Sequence, residues 1–446
     1  MSKHFRPWNI DQTLLLPPSV QDFVSKDHVS RFIVGLARES LDLRAITGSY
    51  VSGLGQPPFD PRMMVALLLH GYASGLYSSR RIARACCERN DFVMIVALDP
   101  PDFRTISDFR KRHLKALGEL FLQVLKLCET AGLVKLGHVA LDGTKIKANA
   151  SKHKAMSYER MKKREAELKA EVACMLAAAE AADAQEDETF GKDKRGDEMP
   201  DWASDKKKRL AKIQEAMAAL EAEAKLAAEE ERRIEAEKEQ QRNAEGRKKP
   251  GKPAAPPSDQ PDPKAQRNFT DPESRIMKSK EGFVQAYNAQ AAVDADAQII
   301  VAHELTQCGS DHGQLVPLVE AIENNLGRKP QQASADSGYC SEPNLEALVA
   351  RGIDGYVAPG RAKHPAAVNG KAGPLTQLMR KKIDDGGFET PYRLRKQVVE
   401  PVFGQIKEAR GFRQFLLRGV EKVRAEWAMI CTTHNLLKLF VLAKAA

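Results

Sequence analysis

The stretch QQASADSGYCSEPNLEALVARGIDGYVAP (331–359) decides how this chain is read. Small residues lead up to Asp336, and a glycine turn follows at once. SEPNLEALVARG then has the pattern of a helix, and DGYVAP that of another strand. An acid at a strand tip is ordinarily a turn former. Whether Asp336 does more depends on which other carboxylates the chain brings to it.

Working outward, GFVQAYNAQAAVD (282–294) and AQIIVAHELTQ (297–307) alternate as a hairpin around DADA, and DHGQLVPLVEAIENNLG (311–327) reads as a helix. Earlier, LGHVALDGTKIKANAS (136–151) reads as a strand, a glycine turn after Asp142 and the start of a second strand. The order is three strands in a meander, then helix, strand, helix, strand. It predicts an α/β fold, a mixed sheet with helices on its faces. Asp142 on the first strand and Asp336 on the fourth then lie side by side at the sheet's centre.

The residues before this sheet, 1–135, read as an all-α N-terminal domain. Asp60 caps and Pro61 opens the apolar helix DPRMMVALLLHGYASG. Ser78 or Ser79 starts RRIARACCER, and Thr105 with Asp108 has capping-box spacing before a third helix that Gly132 ends. From Arg80 to Lys115 there are nine basic residues and five acids. Arg80, Arg81, Arg84, Arg110 and Arg112 therefore suit either a solvated face or a helix-turn-helix-like module on DNA phosphates. Residues 152–244 hold two Ala/Glu/Lys/Arg-rich segments with apolar residues at 3–4 spacing, including Leu168, Ile213, Met217 and Leu220. They predict an antiparallel, coiled-coil-like helical hairpin inserted into the sheet domain, which comprises 136–151 and 267–446. The Pro/Lys-rich stretch 245–266 reads as a disordered linker.

Composition narrows the partners. Lys+Arg 69 against Asp+Glu 60 gives +9, which favours an anionic partner, nucleic acid before membrane. Seven cysteines without zinc spacing read as reduced core thiols of a cytoplasmic protein, and no apolar run suits a signal peptide or a membrane span.

Two carboxylates side by side repel unless a cation lies between them, and Mg²⁺ or Mn²⁺ with oxygen ligands suits that place. The segment 392–424 supplies a third acid. It holds nine basic residues and three acids, and Glu400 is flanked by Val399, Val402, Phe403 and Ile406, which predicts that it faces inward. Pro401 predicts a helix start or a kink at Glu400. Lys407 returns to the same helical face, within reach of a phosphate or of a structural acid. Arg410, Arg413 and Arg418 are phosphate-contact candidates. Asp271 in TDPESR is a rival to Asp142, His303, Asp311 and His312 are candidates for a transition-metal site or for hairpin roles, and His434 reads as a core histidine.

Together ALDGTKIKANASKHKAMSYERM, TDPESRIMK, GFVQAYNAQAAVD, ADSGYCSE and the C-terminal block through THNLLKL resemble bacterial insertion-sequence transposases of the DDE class, closest to the insertion sequence eleven-eighty-two group. The resemblance implies an RNase H-like catalytic domain and makes Asp142, Asp336 and Glu400 the metal-binding and catalytic acids. Lys407 fits the signature around the last acid. Tyr392 and Arg395 stand one residue early, with Arg393 and Lys396 at the strict positions. The implied chemistry is phosphoryl transfer with two Mg²⁺ or Mn²⁺ ions on double-stranded DNA, by a homo-oligomer. Water frees a 3′-OH at the element's end, and that 3′-OH attacks target DNA. A DNA-binding copy without catalysis and a metal-dependent nuclease are the alternatives.

Overall fold

The computed structural model describes residues 19–51, 57–190, 201–244, 256–279, 282–360, 373–386 and 390–445. Helices fill its N-terminal part: α1 (Val29–Gly35), α2 (Arg44–Thr47), α3 (Pro61–Ala73), α4 (Ser79–Glu88), α5 (Asn90–Ile95), α6 (Phe103–Arg112) and α7 (Leu114–Thr130). The Asp60 side chain accepts from Arg62 N, with Pro61 at the first helical position. α6 begins three residues earlier than its capping-box pattern suggested. Asp102 is the cap, bonding Arg104 N and Thr105 N, and the helix breaks at His113 before α7.

The strands are β1 (His138–Lys147), β2 (Ala155–Ser157), β3 (Gln266–Asn268), β4 (Arg275–Ser279), β5 (Gly282–Asp294), β6 (Ile300–Thr306), β7 (Gln332–Ala335) and β8 (Asp354–Val357). In the main sheet β5 pairs antiparallel with β1, while β4 and β6 share β5's other edge, one at each end. β1, β7 and β8 run parallel. The strands nearest the centre are rich in buried Ala and Val, as expected where helices cover a sheet. These helices are α10 (Leu315–Leu326), α11 (Glu342–Ala350), α12 (Pro374–Asp385), α13 (Pro391–Gly404) and α14 (Val420–Ala445). α13 packs on β1 and β7, α10 on β6, and α14 on β6, α3 and α7. One continuous apolar core therefore joins the N-terminal helices to the sheet. At that junction Gly75, with φ +72°, lies so close to the Arg410 carbonyl that a Cβ would stand 2.5 Å from it.

The turn expected after Asp142 is absent. β1 runs unbroken through Gly143, which pairs with Gln290 of β5. Between β1 and the rest of the sheet stands the helical hairpin of α8 (Tyr158–Phe190) and α9 (Asp201–Ala244). Its small core is built on Tyr158, Met161, Leu168, Ile213, Ala216, Met217 and Leu220. β2 pairs with β3 to clamp the hairpin's two ends. Residues 245–255 lie outside the described residues, and the disordered-linker reading fails for 256–266, which docks on the hairpin. There Tyr158 N and Glu159 N donate to the Ala265 and Pro263 carbonyls, and Arg232 pairs with Asp259. The cysteines are all free, but only Cys86, Cys128 and Cys431 are buried, so the core-thiol expectation fails for exposed Cys87, Cys174 and Cys308. No described helix is long and apolar enough to cross a membrane.

A buried ionic cluster ties α3 to α5. Asp91 accepts from His70 Nε2 at 2.7 Å and Arg89 Nη2 at 2.6 Å. Burial raises the Asp91 carboxyl's pKa, but the bonds from His70 and Arg89 outweigh it and hold the group below the usual carboxylate range. Burial also keeps His70 neutral more readily. Asp91→Asn should cost about 1.5–3 kcal/mol at neutral pH, as expected for bonds to a charged group. Because the folded-state pKa is depressed, this contribution is present above the ordinary carboxylate pKa and lost as pH falls below it. The stabilities of wild type and variant, measured by urea titration, should therefore converge in acid.

Candidate active site

β1 and β7 bring the first two acids together. The parallel register pairs His138 with Gln332, Val139 with Ala333 and Ala140 with Ser334. Continued by two residues, it sets Asp142 opposite Asp336, on strands about 4.8 Å apart. Asp336 is also the turn former its sequence suggested: its Oδ1 accepts from Gly338 N at 2.8 Å and caps the single turn Ser337–Tyr339. The other oxygen is left for something else.

Asp142 is half-buried. Its Oδ1 accepts from Gly143 N at 2.8 Å and its Oδ2 from Arg395 Nη1 at 3.0 Å. Burial pushes the Asp142 carboxyl up to about 6; Arg395 opposes this, and the charges of Asp336 and Asp311 add to it. Arg395 comes from the sheet-facing side of α13 and is itself buried. It offsets the charge of Asp142, on the acid where a metal cation was anticipated.

The third acid close to this pair is Asp311, in the loop between β6 and α10. It accepts from Asn288 Nδ2 at 2.6 Å, from Gln290 Nε2 at 2.7 Å and from Lys145 Nζ at 3.2 Å. Gln290 in turn accepts from the buried Tyr339 hydroxyl and, through its carbonyl, from Trp427 Nε1 at 3.0 Å. A side chain at Gly143 would displace this network. A Cβ on it would stand 2.3 Å from Gln290 Nε2 and 2.8 Å from Asp311 Oδ1. His312 is exposed and His303 is half-buried, edge-on against Phe121, so neither joins Asp311 in a transition-metal site. Asp311, Lys145, Asn288, Gln290 and Tyr339 were not assigned to the site from sequence. Their signal was the pair of amides, Asn288 and Gln290, two apart among the small residues in the second half of that strand.

Glu400 does not face inward. It is exposed, whereas Arg395, Val398, Val399, Val402 and Ile406 form the buried face. At 100° per residue Glu400 lies about 140° around the helix from Arg395. Nor does a helix start at Pro401: α13 runs through it, and the Gln397 carbonyl freed by the missing N–H accepts from Gln298 Nε2 at 3.1 Å. Lys407, in the π-turn after α13, donates to the Lys145 carbonyl at 3.0 Å. Asp271, the rival acid, is buried and held by the Tyr287 hydroxyl and Gly419 N, a structural role. His434 is a core histidine between Gln405 and the Gln298 carbonyl.

Two carboxylates with water and substrate oxygens are enough to hold one hard cation, but both oxygens of Asp142 already accept, from Gly143 N and from Arg395. Among the described residues no group of three or more His, Cys, Asp or Glu is arranged to hold a metal. The two-ion, three-acid arrangement is therefore not assembled.

The candidate DNA contacts divide by burial. Arg80, Arg81, Arg84, Arg112, Arg413 and Arg418 are exposed. Of these, Arg84 pairs with Glu88, Arg413 with Glu408, and Arg80 and Arg112 lie over Phe103 and Tyr50. Arg418 donates to the Asn149 carbonyl. Arg110 and Arg410 are interior. Arg110 bonds the Tyr77 carbonyl, the Tyr72 hydroxyl and Ser79, and Arg410 bonds Thr433 Oγ1 at 2.7 Å and the Ile430 carbonyl. Burial pulls the Arg410 guanidinium down to about 9. Neither reaches a phosphate from there. Arg410→Met should accordingly leave the salt dependence of DNA binding unchanged, where loss of a phosphate contact lowers the slope by about 0.9. Binding isotherms at several salt concentrations measure this directly.

Residues 361–440 match the family described as a transposase DDE domain, and residues 18–112 the family described as a transposase domain. No curated protein and no solved structure matches the chain. Two segments of the chain are thus similar to transposase domains. The first spans Arg395, Glu400 and Lys407; the second spans α1 to α6.

Proposed function

We propose that the chain is a DDE transposase that cleaves DNA at the ends of an insertion sequence and transfers the freed 3′-OH into target DNA. The observation that carries the reading is the parallel β1–β7 register, which sets Asp142 against Asp336 at the centre of a mixed sheet. A three-strand antiparallel meander followed by two parallel strands suits an RNase H-like domain, and the two family matches agree with DNA transposition. The insertion sequence eleven-eighty-two group remains the closest reading of its motifs. In this reading 1–135 and the exposed arginines meet double-stranded DNA, 152–244 is an insertion, and the protein acts in the cytoplasm as a homo-oligomer.

Asp142 and Asp336 would hold Mg²⁺ or Mn²⁺, with Glu400 as the third acid once DNA is bound. A divalent ion held there would supply Lewis-acid polarisation of a phosphoryl oxygen and would lower the pKa of a water. Arg395 offsets the charge of the acids before substrate arrives. Lys145 and Lys407 join Asp311, β1 and the turn after α13 into one frame. Asp311, held by two amides and a lysine, fixes the loop beside Gly338.

The test uses purified protein and duplex DNA bearing the inverted ends that flank its own gene, with Mg²⁺ or with chelator. A metal-dependent 3′-OH product followed by a joined product is expected. Cleavage without joining would make the protein a nuclease, and end binding without cleavage an inactive DNA-binding copy. Glu400→Gln should lose both products; full retention would remove Glu400 from the site.

A further inference from the structure

At the foot of the helical hairpin, away from the acids, lies an open cavity of about 700 Å³. Its walls follow from sequence spacing. Arg160, Lys163, Arg164 and Glu167 stand at i, i+3, i+4 and i+7 on α8, the spacing that ordinarily carries an apolar stripe. Arg209, Lys212 and Ile213 repeat the i, i+3, i+4 pattern on α9, which runs back against it. Lys154 completes the rim from the segment that leaves β1. Met156, Ile213 and Phe269 give the cavity an apolar floor.

The charge here is one-sided. Glu167 is the only acid lining the cavity, and it is taken by Arg164 at 2.9 Å. Among the described residues Lys154, Arg160, Lys163, Arg209 and Lys212 have no acid partner. Elsewhere on the hairpin pairing is partial: Lys169 pairs with Glu165 and Lys206 with Glu171, and Arg267 and Arg275 on the neighbouring strands pair with Glu223, whereas Lys207, Lys208 and Lys225 have no acid partner among the described residues. What distinguishes the foot is that its unpaired cations converge on one concave wall. Five unpaired cations around a concave wall repel one another and focus the field on an anion.

We propose that this cavity grips the sugar–phosphate backbone of double-stranded DNA, with phosphates on the Lys and Arg rim and sugars against the apolar floor. The inference rests on the transposase reading for the nature of the anion. Position supports it. Lys154 is twelve residues beyond Asp142, so the two are at most about 40 Å apart along the chain. That is on the order of one turn of duplex, about 34 Å, so one DNA segment reaches both the acids and the hairpin.

The test compares two full-length variants of equal net charge. In the first, Lys163, Arg209 and Lys212 are changed to Gln; in the second, exposed Lys26, Lys126 and Lys329 are. Each binds a 40-bp duplex carrying the element end, and a duplex of arbitrary sequence, at several salt concentrations. The cavity variant should weaken binding to both duplexes and lose about 0.9 of slope for each contact removed, more than 1 in all, while the control variant keeps the wild-type slope. Equal slopes in the two variants, with circular dichroism showing the hairpin intact, would overturn the proposal. Wild-type end cleavage separates the two readings. Cleavage with an unchanged slope leaves the transposase and removes the cavity; a lowered slope without cleavage leaves the cavity and removes the transposase.

Discussion

Asp336→Asn should abolish metal-dependent cleavage of element-end DNA while leaving binding of the same DNA nearly unchanged. The amide oxygen still accepts from Gly338 N, so the turn after β7 survives. What is lost is one negative oxygen facing Asp142. Changing a group that merely supports a metal ligand costs about 10–100-fold, so removing the ligand itself should cost at least about 100-fold. Asp336 is a cleaner choice than Asp142, whose replacement would also strand the buried Arg395 guanidinium. Gel shift and cleavage on one preparation decide the matter. Equal loss of binding and cleavage would reduce Asp336 to a turn former, and intact cleavage would remove the site.

Trp427→Ala should destabilise the whole protein by about 3–5 kcal/mol, the usual cost of emptying a fully buried aromatic site. Trp427 is 0% exposed on α14, the helix that joins the N-terminal helices to the sheet. Its Nε1 also donates to the Gln290 carbonyl, at the residue whose side chain links Tyr339 to Asp311. The loss is a large share of the roughly 5–15 kcal/mol that holds a domain folded. Trp427→Phe should cost clearly less. Urea midpoints measure both, and a loss below about 1 kcal/mol for the alanine variant would contradict this account of the core.

The run from 282 to 357 was legible because alternation, turn residues and helix spacing agreed at every step. Joined to the strand read around Asp142, that run set β7 beside β1, and with it Asp336 beside Asp142. Gly143 misled because glycine marks a turn as readily as a crowded strand, and only Gln290 and Asp311 across the sheet tell the two apart. Glu400 misled for another reason. Apolar neighbours flank it on both sides, but the buried stripe is 395, 398, 399, 402 and 406, and it begins with an arginine. Read by spacing instead of polarity, that stripe puts Arg395 inside and Glu400 outside. Arg110 and Arg410 were illegible, since the hydroxyls and carbonyls that satisfy them come from distant residues.

The pairing of β1 with β7 also sets a timetable for synthesis. The α8–α9 hairpin consists of local contacts and can form soon after it leaves the ribosome. β1 cannot: its neighbours β5 and β7 begin at 282 and 332, so its edges wait for most of the chain. Until then an apolar strand has two unpaired sides, the condition in which large proteins misassemble. Asp142 and Asp336 therefore first meet late in translation, and refolding from denaturant should be slow and concentration-sensitive even though the helices return at once.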